Sequence, residues 1–456
     1  MAAKRIVIIG GGPAGNQCAT HAARLGAEVT LIERDVVGGA AHLWDCIPSK
    51  AMIATGGALT QINSAAGMGI TVSGASLDFA AVKERITGIE AKLQNSVTDL
   101  LNSQGVTMLR GSGRLDGPNK VIVDRLDGQT STVDADVVLL ATGSRPRIPE
   151  WAPVDGVRVL STRQAYPPPE LPSHLVVVGA GVTGVEFVHM FSAFGCRVTF
   201  VVSRQQVLPQ KDPEVAAALE DDFIERGVRL FKGARAESVT VNAEAGTVTV
   251  QCDDGRSVTG SHMLLAVGSI PNSDVLGLET AGVVQSGGYV TVDHNCQSSV
   301  PNIYAAGDLS GKLPLSSVAS MQGRKIAEHA MGLHAGPHRH LDYEKAASAI
   351  FTVPEIADVG LAEADAFAVG RKIRVTKVPF SANAKALIEN QPRGFVKIIS
   401  DPATGVVLGG SIVGRNAAEL ISVIALAVTA GLRVTDIVES LLVHPALAEA
   451  LADAAE

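Results

Sequence analysis

At 456 residues the chain is too long for one hydrophobic core and suggests about three domains of ordinary size. Its 46% hydrophobic and 18% charged residues describe a globular protein with ample apolar material for buried sheets. The 38 basic against 46 acidic residues give a net charge of −8 with no run of Lys or Arg, which argues against nucleic acid or an anionic membrane surface as a partner.

Met1 to Arg5 passes directly into Ile6-Val7-Ile8-Ile9, leaving no stretch long enough for a signal-peptide core. The β-branched run at 5–9, a helix from Pro13 to Leu25 and a strand at 28–32 make a βαβ opening. Over 79–104, Val82, Ile86, Ile89, Leu93, Val97 and Leu100 recur at three- and four-residue spacing, one face of a long helix. Short strands between Gly- and Asn-rich turns follow to about Val133 as an antiparallel meander, and Asp136 to Gly143 returns as a buried strand.

Tyr166-Pro-Pro-Pro-Glu-Leu-Pro172 reads as a linker before a second βαβ unit. The expected pieces are 1–150, 151–272, a return segment 273–335, and 340–456, the last alternating strands (395–399, 406–413) with helices as an α+β domain does. The fold class is therefore α/β, with two Rossmann-like domains and a C-terminal α+β domain. Residues 420–432 are nearly apolar but fall short of the ~20 residues a membrane span needs, and read as a buried helix. Five scattered cysteines (Cys18, Cys46, Cys196, Cys252, Cys296) are unlike a secreted disulfide framework or a zinc site, and point to a reducing cytoplasm. His334, His338 and His340, in a Gly/Pro linker, read as solvated; no metal is expected.

Gly10-Gly-Gly12-Pro13-Ala14-Gly15 follows a strand and opens a helix, with Glu33 at the end of the next strand. Gly10 makes the turn, Gly12 lets backbone amides reach a pyrophosphate, Gly15 allows close packing, and Glu33 can accept a ribose hydroxyl. Gly179-Ala-Gly181-Val182-Thr183-Gly184 repeats the arrangement, so two dinucleotides are expected. Its second strand ends Val201-Val202-Ser203-Arg204 in place of an acidic residue; a hydroxyl and a guanidinium suit a ribose 2′-phosphate, so NADPH should bind at least as well as NADH.

The block Gly38-Gly39-Ala40-Ala41-His42-Leu43-Trp44-Asp45-Cys46-Ile47-Pro48-Ser49-Lys50 resembles the active-site segment of the pyridine nucleotide-disulfide oxidoreductases, FAD enzymes that include dihydrolipoamide dehydrogenase, glutathione reductase and mercuric reductase. In that family two cysteines five positions apart form a redox disulfide. Here Cys46 is the second and Ala41 stands at the place of the first, so this segment cannot close the bridge. Ala141-Thr142-Gly143-Ser144 and Tyr304-Ala-Ala-Gly307-Asp308 resemble later FAD contacts, and Leu265-Ala-Val-Gly268-Ser-Ile-Pro271-Asn272 the end of the nicotinamide domain. Phe351-Thr-Val-Pro-Glu-Ile-Ala357 and Gly414-Arg-Asn-Ala-Ala-Glu419 are similar to its dimerisation domain, and a homodimer is implied.

The resemblance also implies roles. Gly10 to Gly15, Glu33, Arg34, Gly39, Ala40, Ala141, Thr142, Gly143, Gly307 and Asp308 would hold FAD; Gly179 to Gly184, Ser203, Arg204 and Gly268 would hold the nicotinamide dinucleotide. Lys50 would approach the flavin N5 region and pair with Glu186, and His444 with Glu449 would form an acid/base dyad reaching the partner subunit's active site. Cys46, expected at a helix N-terminus with Lys50 one turn on, would favour thiolate. Whether it tunes FAD or cycles through sulfenate stays open.

Three readings follow. The favoured one is an FAD-dependent NAD(P)H:acceptor oxidoreductase, a quinone reductase similar to an actinobacterial branch that also carries Gly-Gly-Ala-Ala. The others are a soluble pyridine nucleotide transhydrogenase and a dehydrogenase-like binding subunit without catalysis.

Overall fold

The computed structural model describes residues 3–333 and 341–456, so the expectation for His334, His338 and His340 lies outside the described residues. The chain divides into two compact units, one of Met1–Ser49, Lys83–Arg147 and Ser269–Tyr343, the other of Lys50–Val82, Ile148–Gly268 and Glu344–Glu456.

In the first unit a seven-stranded sheet runs in the order Ile303–Ala305, Val137–Leu140, Arg5–Ile9, Glu28–Glu33, Thr107–Leu115, Lys120–Arg125, Thr130–Asp134. The first five are mutually parallel; the last two fold back as the expected antiparallel meander. Residues 6–9 of the strand Arg5–Ile9 are continuously apolar because both faces are covered there. Ile6 and Ile8 pack with Ala14, Cys18 and Ala22 of the helix Pro13–Arg24, while Val7 and Ile9 pack on the opposite face with Val121 and Val123. Each of the valines and isoleucines among them contributes about 1.5–3 kcal/mol on burial. The helix Ser316–Ala330 crosses Pro13–Arg24 so closely that a Cβ on Gly323 would lie 2.1 Å from the Ala14 carbonyl oxygen.

The helix Phe79–Ser103 forms as its periodicity predicts, with one correction. Leu100 is 42% exposed, and Leu101 takes the buried place. Beyond Val97 the buried row continues at a spacing of four, as a 3.6-residue period requires over so long a helix.

In the second unit a five-stranded parallel sheet has the order Arg229–Lys232, Arg197–Val202, His174–Val178, His262–Leu265, Val159–Ser161. A three-stranded antiparallel sheet (Ala236–Asn242, Thr247–Cys252, Ser257–Gly260) packs beside it through Val248, Val250 and Val258. The C-terminal part is a five-stranded antiparallel sheet, Ser348–Ile350, Glu355–Gly360, Val407–Gly414, Phe395–Ser400, Arg374–Pro379, covered by the helix Ala417–Ala430. The segment expected as a buried helix is helical and buried on one face. Ile421, Ile424 and Val428 face the sheet, whereas Leu426 is 64% exposed on the opposite side, because one sheet face can cover only one stripe of the helix.

Candidate functional site

The two glycine loops have the same geometry. Gly10 has φ +109°, and a Cβ there would lie 2.3 Å from the Ala141 carbonyl oxygen; at Gly15 it would lie 2.0 Å from the Gly10 oxygen. Gly179, at φ +110°, would meet the Ala266 oxygen at 2.2 Å, and Gly184 the Gly179 oxygen at 1.8 Å. Gly12 and Gly181 differ from these. Each is the N-cap of its helix, Pro13–Arg24 and Val182–Ala193, with no capping side chain and no atom within 4 Å of its Cβ position. A helix N-terminus with no capping side chain and open space beside its N-cap glycine fits a pyrophosphate in both places.

Around the first loop, Glu33 turns its carboxylate back: Oε2 accepts from the Gly11 amide at 2.7 Å and Oε1 from the Asp35 amide at 2.7 Å. Its remaining lone pairs are suited to a ribose hydroxyl. Arg34 donates to Asp35 at 3.1 Å. The Gly38 amide donates to the Gly11 oxygen at 2.8 Å, and Gly39 comes so near that its Cβ would lie 2.8 Å from Gly12 Cα. Ala40 follows in the short helix Gly39–Leu43.

The Ala141 amide donates to the Ile9 oxygen at 2.8 Å, while Thr142 and Asn272 exchange two hydrogen bonds at 2.8 and 2.9 Å. Ser144 donates to Asp308 at 2.5 Å, and the Gly307 amide to the Gln322 side chain at 2.7 Å. The first unit thus gathers Gly10 to Gly15, Glu33, Ala141 to Gly143 and Gly307-Asp308 on one sheet and its flanking turns. Gln322 and Asn272 brace this region without any local sequence signal, since their partners lie in other segments of the chain.

In the second unit Ser203 and Arg204 are exposed just past the strand Arg197–Val202. The Gly179 amide bonds the Val201 oxygen and the Leu208 amide bonds the Ala180 oxygen, which keeps this turn at the glycine-loop end of the sheet. Gly268 has φ +93° and open space at its Cβ position.

Cys46 is the first residue of the helix Cys46–Asn63, as expected, and its Sγ lies 3.7 Å from the Ser316 hydroxyl. None of the five cysteines is disulfide-bonded among the described residues. Lys50 Nζ donates to Glu186 Oε2 at 2.9 Å and to Oε1 at 3.1 Å. Glu186 is buried in the helix Val182–Ala193, and its Oε1 also accepts from the Phe351 amide at 3.1 Å. The expected Lys50 and Glu186 pair is present; Phe351 as a third member was not foreseen.

His444 Nδ1 lies 2.7 Å from Glu449 Oε1, and Glu449 Oε2 accepts from the Ala446 amide at 2.8 Å. Those two bonds, the backbone one first, hold the Glu449 carboxyl below its ordinary pKa. His444 is 73% exposed, which leaves its imidazole open to an approaching molecule.

A family model described as pyridine nucleotide-disulphide oxidoreductase matches residues 4–323, and the corresponding dimerisation domain matches 346–455. The chain belongs to this family of FAD-dependent enzymes that use NAD(P)H. Among its relatives, the NAD(P)H dehydrogenase (quinone) of Mycobacterium tuberculosis is 43% identical, over 99% of this chain and 93% of that protein. A dihydrolipoyl dehydrogenase of Bacillus subtilis is 33% identical, over 99% and 97%. The crystal structure of LpdA from Mycobacterium tuberculosis superposes with a TM-score of 0.93 at 42% identity, covering 99% of both chains. No helix among the described residues is long and apolar enough to cross a membrane.

Proposed function

We propose that the chain is an NAD(P)H quinone reductase. The observation that carries the reading is Ala41: with no sulfur at that position the segment cannot close a redox disulfide, while both glycine fingerprints and the Lys50 and Glu186 pair are present. The 43% identity to a protein named NAD(P)H dehydrogenase (quinone) supports it.

When bound, FAD supplies a two-electron relay between nicotinamide and acceptor. The amides at Gly12 and the Glu33 carboxylate would hold its pyrophosphate and ribose, with Asp308 toward the ribityl end. The amides at Gly181 would hold the nicotinamide dinucleotide, and Ser203 with Arg204 would receive a 2′-phosphate. Lys50 would place a positive charge beside the isoalloxazine, where negative charge develops on reduction, and Glu186 would fix that ammonium. Cys46 is left outside the electron path.

A quinone needs protons as well as electrons. His444 is suited to deliver one from Nε2, since Glu449 holds Nδ1 and fixes the orientation of the ring. The family's dimerisation domain supports a homodimer, in which His444 would serve the partner's flavin. The exposed Leu426 and Val423 face is available for a second copy.

The test is anaerobic: the protein is reduced with NADPH, then mixed in turn with a quinone, NAD and lipoamide while the flavin spectrum is followed. Reoxidation should be fastest with the quinone. Faster reoxidation by NAD indicates a transhydrogenase, and vigorous lipoamide turnover removes the argument from Ala41.

A further inference from the structure

The segment 351–353 is tied to the helix Val182–Ala193 at two points. The Phe351 amide donates to Glu186, and the Val353 oxygen accepts from Arg226 Nη2 at 3.3 Å while Arg226 Nη1 lies 3.1 Å from His189 Nδ1. Glu186 and His189 are three positions apart on one face of that helix, so the two ties act side by side and set the direction in which Phe351 leaves the backbone. The Phe351 ring then lies under Lys50, with Nζ 4.9 Å from its centroid, within the range of a cation–π attraction.

We infer that Phe351 is a positioning residue for Lys50, its amide orienting the Glu186 carboxylate and its ring face holding the ammonium in one place. The proposal rests on the assignment of Lys50 as the charge beside the bound flavin. An aromatic face suits this task better than a second carboxylate. Its quadrupole attracts the ammonium at short range but adds no net negative charge to oppose the one that develops on the reduced flavin.

The test compares Phe351→Leu, Phe351→Tyr and Lys50→Met as FAD-loaded full chains. The midpoint potential of bound FAD is measured by dye-referenced titration, and the rate of flavin reduction by NADPH in single turnover. Phe351→Leu keeps the amide and most of the volume but loses the ring face. It should lower the potential in the same direction as Lys50→Met, by less, and slow reduction roughly three- to thirtyfold, the equivalent of a cation–π contact. Phe351→Tyr should restore both readouts. A lowered potential in Lys50→Met with a wild-type value in Phe351→Leu overturns the inference alone; an unchanged potential in Lys50→Met overturns the assignment of Lys50 and the inference with it. Should Phe351→Leu fail to fold, Phe351→Met makes the same comparison.

Discussion

Lys50 and Glu186, 136 positions apart in the chain, meet with both carboxylate oxygens within 3.1 Å of the ammonium. Lys50 is 33% exposed and Glu186 4%, so the pair has one side open and one side anchored in the protein. That asymmetry is what a site needs if the charge is to face a bound molecule while its counter-ion stays fixed.

Glu186→Gln should therefore do more than cost stability. It keeps the shape and an acceptor for the Phe351 amide but leaves Lys50 without its anion. Loss of a hydrogen bond to a charged group is worth about 1.5–3 kcal/mol, which corresponds to roughly a ten- to hundredfold slowing of flavin reduction by NADPH in stopped flow. A wild-type rate would remove Glu186 from the site.

Arg204→Ala is expected to raise KM for NADPH by the same range, about 1.5–3 kcal/mol for a lost charge-assisted bond, and to leave NADH nearly unchanged. Arg204 is exposed, so its truncation removes no core packing and any effect reports on the bound nucleotide. Equal losses with both nucleotides would show that Arg204 does not read the 2′-phosphate.

His444→Gln should slow quinone turnover while flavin reduction by NADPH keeps its wild-type rate. The pH dependence follows from Glu449, whose folded pKa lies below its ordinary value because of the Ala446 amide and His444. The stabilisation of the dyad is full above the ordinary carboxyl pKa, about 4.3, and is lost only as pH falls through the depressed folded value. Glu449→Gln should therefore reduce quinone turnover at neutral pH, where the native carboxylate is charged. A pH profile superimposable on that of the native protein would contradict the dyad.

Cys46→Ser should retain NADPH:quinone turnover, because no disulfide chemistry is assigned to this thiol. Any long-wavelength charge-transfer absorbance between this sulfur and bound flavin should vanish in the variant. If turnover collapses while FAD remains bound and reducible, Cys46 is an obligatory redox intermediate.

Lys397 is 1% exposed and bonds Asp212 at 2.8 Å and Glu363 at 2.9 Å, with Glu214 as a third anion. Burial alone would depress its pKa, but the bonds to these carboxylates raise it above the ordinary value; Asp212 is pushed up by burial and brought below its ordinary value by Lys397. Lys397→Met should cost about 3–5 kcal/mol, the penalty for an uncompensated buried charge. The raised Lys397 contributes fully below its unfolded pKa of about 10.4 and loses that contribution as pH rises through the folded value. The depressed Asp212 contributes above about 3.9 and loses it as pH falls. Urea unfolding should thus show a constant difference between variant and native protein from about pH 5 to 10, shrinking at both extremes. A difference that changes steadily across that window would contradict the assignment.

Much of this was written in short-range patterns. The glycine spacings around Gly12 and Gly181 determined both strand-to-helix turns, because a tight turn, a close helix and an open N-cap are each demanded by one residue within six. The dyad of His444 and Glu449 was legible for the same reason, being five residues apart. Ala41 is visible only in the sequence, as a departure from a family pattern. What the tertiary structure decided was long-range: that Phe351 lies under Lys50, that Gln322 and Asn272 brace Gly307 and Thr142, and that Leu101 rather than Leu100 is buried. These depend on which segments pack together, and packing of residues far apart in the chain leaves no period or spacing in the sequence from which it could be read.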